Sequence, residues 1–162
     1  MKLVAFFVLL LAFTAPVAAQ RQSLGIFYQW GAFREAAPKR CFALAEPHRS
    51  PKAEGWRPFA SVSFWPGMGV RGQIHFRLSR NKRPGSAVLL RIDDRTFQLF
   101  AGGANAWARD TRADAEIVTA MRSGIDMILE TRSDRGAMVR DYYQLRGAAT
   151  AIDAAAVACA RR

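Results

Sequence analysis

Apolar and polar residues alternate with period two through the middle of the chain. In GQIHFRLSR (72–80), Ile74, Phe76 and Leu78 fall on one face and Gln73, His75, Arg77 and Ser79 on the other. That is the signature of a half-buried β-strand. RPFASVSFW (57–65) sets Ala60, Val62 and Phe64 against Phe59, Ser61, Ser63 and Trp65 in the same way. AVLLRI and RTFQLF flank Asp93 and Asp94, and aspartate tolerates tight-turn backbone, so this segment reads as a hairpin. IDMILETRS (125–133) and VRDYYQLRG (139–147) form a second pair around DRGA. SLGIFYQWGAF and RCFALAEP add earlier strands, and the polar, proline-bearing stretch 47–56 is expected as a surface loop.

Two segments switch to helical spacing. In DTRADAEIVTAMRSG, Thr111 with Asp114 resembles a capping box, Ile117, Ala120 and Met121 make an apolar stripe, and Gly124 supplies a stop. Near the C-terminus, Thr150 and Asp153 mark a start, and Ile152, Ala155, Ala156 and Cys159 share one face. That stripe is narrow and built of small side chains, which suits close packing on a sheet. The fold class expected is mainly β: one antiparallel β-sandwich or barrel-like domain with two short helices, about 111–123 and 150–160.

The ends change the picture. Lys2 precedes the apolar run LVAFFVLLLAF, and Val17 and Ala19 stand at the small-residue positions of a secretory cleavage site. Residues 1–19 are therefore expected as a cleavable signal peptide and 20–162 as a single β-rich domain in the periplasm or secreted. The competing reading is an uncleaved anchor, although the run is short for a bilayer of about 30 Å. No later stretch is long and apolar enough to cross a membrane as a helix. The chain carries 24 Lys and Arg against 13 Asp and Glu, a formal charge of +11. This favours anionic surroundings, although the arginine excess reads equally as base composition. Cys41 and Cys159 pair most simply as a disulfide in an oxidising compartment, the alternative being two buried free thiols.

Catalytic signatures are sparse. GxSxG, HExxH, GxGxxG and the phosphate-cradling loop are absent from the sequence, so no cofactor or metal is expected. Asp93 and Asp94 read as turn formers rather than as facing carboxylates. The binding candidate is RLSRNKRPG, where Arg77, Arg80, Lys82 and Arg83 could grip phosphate or carboxylate groups. The plainer reading is a solvated strand end that blunts aggregation. Trp56 beside Arg57 could stack on a sugar or a head group, whereas Trp30, Trp56, Trp65 and Trp107 read more simply as core or edge aromatics. Nucleic acid is disfavoured, because aromatics and arginines are not interleaved as a single-strand groove requires.

The stretches GIFYQWGAF, RCFALAEP, VLLRIDDRTFQLF, IVTAMRSGIDMILETRS and YYQLRGAATAIDAA together resemble the invasion-associated locus B family of exported proteobacterial proteins. The resemblance implies a compact, mainly β envelope or periplasmic protein, and it brings no catalytic residues with it. Cys41 stands at a cysteine position of the family. GAFRE after Trp30 lacks the cysteine that members often carry there, which implies a reduced disulfide pattern. The function expected is an exported, non-enzymatic protein that binds or scaffolds an anionic envelope component or another envelope protein. The alternative is a small envelope hydrolase or transferase using His75 or His48 with a nearby acid.

Overall fold

The computed structural model describes residues 21–160; the signal peptide expected at 1–19, together with Gln20, Arg161 and Arg162, lies outside the described residues. The alternating stretches become strands β1 (Gln22–Phe27), β2 (Trp30–Ala36), β3 (Lys39–Ala45), β4 (Phe59–Trp65), β5 (Val70–Arg77), β6 (Val88–Ile92), β7 (Arg95–Gly102), β8 (Asn105–Trp107), β9 (Asp126–Arg132) and β10 (Met138–Gln144). Helix α1 (Thr111–Ser123) joins β8 to β9, and α2 (Ala148–Ala160) follows β10. The strands form one sheet in the order β1-β2-β3-β4-β5-β8-β7-β6-β9-β10.

β7 serves two halves of that sheet. Arg95–Leu99 pairs with β6, and Phe100–Gly102 pairs with β8. The sheet folds on itself there, so Ile74 and Phe76 of the first half and Leu90, Leu129 and Tyr143 of the second share one core. The result is sandwich-like and is not a closed barrel. The free edge of β10 is covered instead by the 47–56 loop, where Tyr142 N donates to Arg49 O at 2.8 Å and His48 N donates to Tyr142 O at 2.9 Å. Such a cover removes an edge that could template aggregation.

Two sequence expectations change in detail. The N-cap of α1 is Asp110, whose side chain accepts from Ala113 N at 2.8 Å. Asp114 turns away from the helix and accepts the Ile74 N–H of β5 at 2.8 Å, tying α1 to the sheet. Ser79, expected to face outward, is fully buried. Strand β5 ends at Arg77, so the alternation no longer governs Ser79, and its N–H donates to Asp141 Oδ2 at 2.9 Å.

Asp141 is itself fully buried, and its Oδ1 has no protein donor. Burial raises its pKa, opposed by the hydrogen bond from the Ser79 backbone N–H. Burial likewise pushes the Tyr143 hydroxyl up, with the carboxylates of Asp141 and Glu46 adding to the effect. A carboxyl group with a raised folded-state pKa stabilises the fold fully below its unfolded pKa, and that contribution is lost as pH rises through the folded value. Asp141→Asn keeps an acceptor for Ser79 and cannot ionise. Its stability relative to wild type should rise between about pH 4 and neutrality in urea unfolding. A difference that stays constant across that window would contradict the assignment.

Candidate functional site

The sheet's first half has an inner face of small residues and an outer face of rings. Inward, Ala32, Ala43, Ala45 and Ala60 are fully or almost fully buried, and the alanine-rich α2 lies against β2 and β3. Small side chains on both partners permit a close approach. Outward, the strand registers align one cross-strand row: Ile26, Gly31, Leu44, Ser61, His75, Trp107 and Phe100. A parallel row runs Phe59, Arg77, Asn105 and Gly102. Neighbours in such a row stand about 4.5–5.5 Å apart and interact directly.

Where these two rows meet, the side chains hold one another. His75 stacks on Trp107 with ring centroids 5.1 Å apart and planes 6° from parallel. Phe59 meets the imidazole edge-on at 5.2 Å, and Phe100, 66% exposed, flanks Trp107 at 6.3 Å. Arg77 Nη1 donates to Asn105 Oδ1 at 3.2 Å, and its guanidinium lies 4.8 Å over the Trp56 ring. Trp56 is pinned in turn by Nε1 donating to Leu78 O at 2.8 Å.

The imidazole's tautomer follows from these contacts. Arginine has no acceptor, so the Asn105 atom facing it is the oxygen. His75 Nε2 lies 3.1 Å from that same oxygen and must therefore carry a hydrogen. Burial lowers the pKa of His75 below its ordinary value, opposed by the Asn105 hydrogen bond, with Arg77 and Arg40 also disfavouring the cation. The ring is neutral at pH 7 and leaves Nδ1 as an acceptor. The buried polar side-chain atoms that lack a partner among the described residues are Ser79 Oγ, Asp141 Oδ1 and Tyr143 OH. Asn105 Nδ2, His75 Nδ1 and Trp107 Nε1 have no partner among the described residues either and are not among these buried atoms, so they reach solvent.

The four basic residues expected to grip an anion do not act as one cluster. Arg80 donates from Nη1 to Glu54 Oε1 at 2.7 Å, and Arg135 approaches the same carboxylate at 3.9 Å. Lys82 Nζ donates to the carbonyl of Arg83, and Arg83 is exposed at the turn. Arg77 stands apart on the outer face of β5, with no carboxylate in ion-pairing range among the described residues. Farther along the same face, Arg21 and Arg40 lie over Phe42, at 5.2 and 4.5 Å, and both pair with Glu35.

The remaining sequence candidates have structural duties. Asp93 sits in the turn at φ 50 and accepts the Ile125 and Asp126 N–H groups. His48 packs at 6.4 Å from the Tyr142 ring, and neither histidine has a carboxylate partner among the described residues. Among the described residues no group of three His, Cys, Asp or Glu side chains could hold a metal ion. Trp30 is fully buried and donates to Gln144 O at 2.9 Å. Trp107 and Asn105 were not expected at a site, because a three-residue strand is too short to show alternation.

Cys41 and Cys159 form a disulfide with Cα atoms 5.7 Å apart. No protein-family model and no curated protein matches the sequence. Among solved structures, invasion associated protein B from Bartonella henselae is similar, at 14% identity and a TM-score of 0.59. The match covers 87% of this chain and 99% of that one. The chain thus has the fold of invasion associated protein B.

Proposed function

We propose that this is an exported, non-enzymatic binding protein that takes an anionic component of the cell envelope on the outer face of its sheet. The observation that carries the reading is Arg77. Its guanidinium is held by the half-buried Trp56 ring and by Asn105, and no carboxylate among the described residues neutralises it. A cation fixed in this way loses little freedom when an anion arrives, and charge-assisted hydrogen bonds are about twice as strong as neutral ones. Lys82 and Arg83 at the strand end, and the +11 charge of the whole chain, add long-range attraction. The leader read in residues 1–19 supports export. Among the described residues no helix is long and apolar enough to cross a membrane.

The test is retention on anionic matrices, dextran sulfate and phosphatidylglycerol vesicles, at low salt. Arg77→Gln should weaken retention about tenfold, and Arg80→Gln, whose charge Glu54 already neutralises, should weaken it far less. Equal loss from both variants, or no loss from Arg77→Gln, would remove the outer face from the proposal.

A further inference from the structure

Charge alone leaves much of the Arg77 surroundings without a purpose. The solvent-reaching valences are the remaining guanidinium N–H groups, the two Asn105 Nδ2 hydrogens, the Trp107 indole N–H and the His75 Nδ1 acceptor. The ring surfaces of Trp107 and Phe100 stand next to them. We infer that the ligand is a sugar ring bearing a carboxylate or a phosphate. This inference rests on the binding reading above and narrows it. The anionic substituent meets Arg77 and Asn105, a hydroxyl donates to His75 Nδ1, and an apolar face of the sugar lies on the exposed ring of Phe100, beside the Trp107 indole N–H.

Two other ligand types fit less of this arrangement. Inorganic phosphate would use the donors and leave the rings idle. A lipid surface calls for a contiguous apolar wedge. Among the described residues the exposed large apolar side chains are dispersed: Phe100 at one end of the row, Ile26 and Tyr28 at the other, Met68 at the β4–β5 turn, and Ile125, Met138 and Val157 elsewhere. A neutral imidazole also fits a sugar better than a bare anion, since its free nitrogen accepts a hydroxyl and would repel a carboxylate.

The experiment measures dissociation constants by tryptophan fluorescence and follows the Trp107 indole N–H by NMR. The probes are an oligogalacturonate, glucose 6-phosphate, a neutral dextran oligosaccharide, tripolyphosphate, oligo(dT) and phosphatidylglycerol vesicles. Oligogalacturonate should bind at least about tenfold more tightly than both dextran and tripolyphosphate, the factor that stacking on one aromatic ring contributes. Glucose 6-phosphate should shift the same indole signal. If it does so and oligogalacturonate does not, the phosphosugar is the source; the reverse result assigns a uronic acid polymer. Trp107→Ala and Arg77→Gln should each lose this binding, and Arg80→Gln should keep it. Tripolyphosphate as tight as oligogalacturonate, with Trp107→Ala unaffected, would overturn the sugar inference while leaving the anion-binding reading in place. Tighter binding of vesicles or oligo(dT) would overturn it in favour of a lipid surface or a polynucleotide. No binding by any anionic probe would overturn both readings.

Discussion

Removing the Cys41–Cys159 bond should lower the free energy of unfolding by about 4–5 kcal/mol, the chain-entropy value for a loop of this length. The two cysteines are 118 positions apart, so in the unfolded chain the bond confines almost the whole domain. The folded state gives a second reason to expect a large effect. Cys41, Ala155 and Cys159 form a small buried cluster separate from the main core, with Phe64 and Ala158 packed against it. The last two turns of α2 thus bury little apolar surface, and a 13-residue helix is marginal by itself in water. Ile152, Ala148 and Ala151 anchor the first turns in the main core.

Reduction should therefore loosen the helix from its C-terminal end. Amide exchange across 155–160 should accelerate first, and the thermal midpoint should fall by roughly 10–20 °C. Because Cys41 is fully buried and Cys159 is 6% exposed, reductant acts only after that opening. The Cys41→Ala, Cys159→Ala double variant gives the same comparison without a reductant. A double variant that unfolds within about 1 kcal/mol of wild type would show that packing, and not the bond, holds α2.

The strands were legible where one face is apolar and the run is long. Ile74, Phe76 and Leu78 sit inward as alternation requires, and the hairpin at Asp93 forms where its turn residue adopts positive φ. The stripe Ile117, Ala120 and Met121 is buried as its spacing implies. The N-cap of α1 was not legible: Asp110 and Thr111 are both good caps, and the choice depends on Asp114 being drawn to Ile74 of β5. The site was legible in part. Arg77 belonged to the expected basic set, whereas Arg80 was neutralised by a glutamate 26 positions away. Trp107 and Asn105 reach His75 and Arg77 through pairing between β5 and β8, across about 30 residues of chain. Such partners depend on strand order, which no local pattern encodes.

The same reasoning separates two kinds of arginine. Arg21, Arg40, Arg57, Arg80, Arg112, Arg122, Arg135 and Arg140 each have a carboxylate partner. Most of these pairs are solvent-exposed and contribute about 0–1 kcal/mol each. Arg49, Arg77, Arg95 and Arg146 lie instead over aromatic rings, at 3.8, 4.8, 5.0 and 3.9 Å. A guanidinium on a ring remains available to an anion. Four of the arginines without a carboxylate partner are thus already oriented by aromatic rings, and Arg77 is one of them.

Gly147→Ala should destabilise the fold by about 3 kcal/mol or more. Gly147 turns the chain from β10 into α2 at φ +90, a region where a side chain is strained. A Cβ there would also stand 2.1 Å from Phe27 O and 2.8 Å from Phe27 C, both backbone atoms of the turn between β1 and β2. Backbone held in a sheet cannot swing aside as a side chain can. The joint is fixed further by Arg146, which donates to Tyr28 OH at 2.7 Å, and by Ala151 N donating to Gly147 O at 3.0 Å. Displacing it would tilt α2 away from β3, and with it the segment that carries Cys159. Gly85→Ala serves as the control: its φ is +77, and nothing lies within 4 Å of the added carbon. That variant should cost only the left-handed backbone strain, about 1–2 kcal/mol. The excess cost of Gly147→Ala over Gly85→Ala in urea unfolding then measures the contact with Phe27. Equal costs would mean that the turn yields and that the close approach does not constrain the tail.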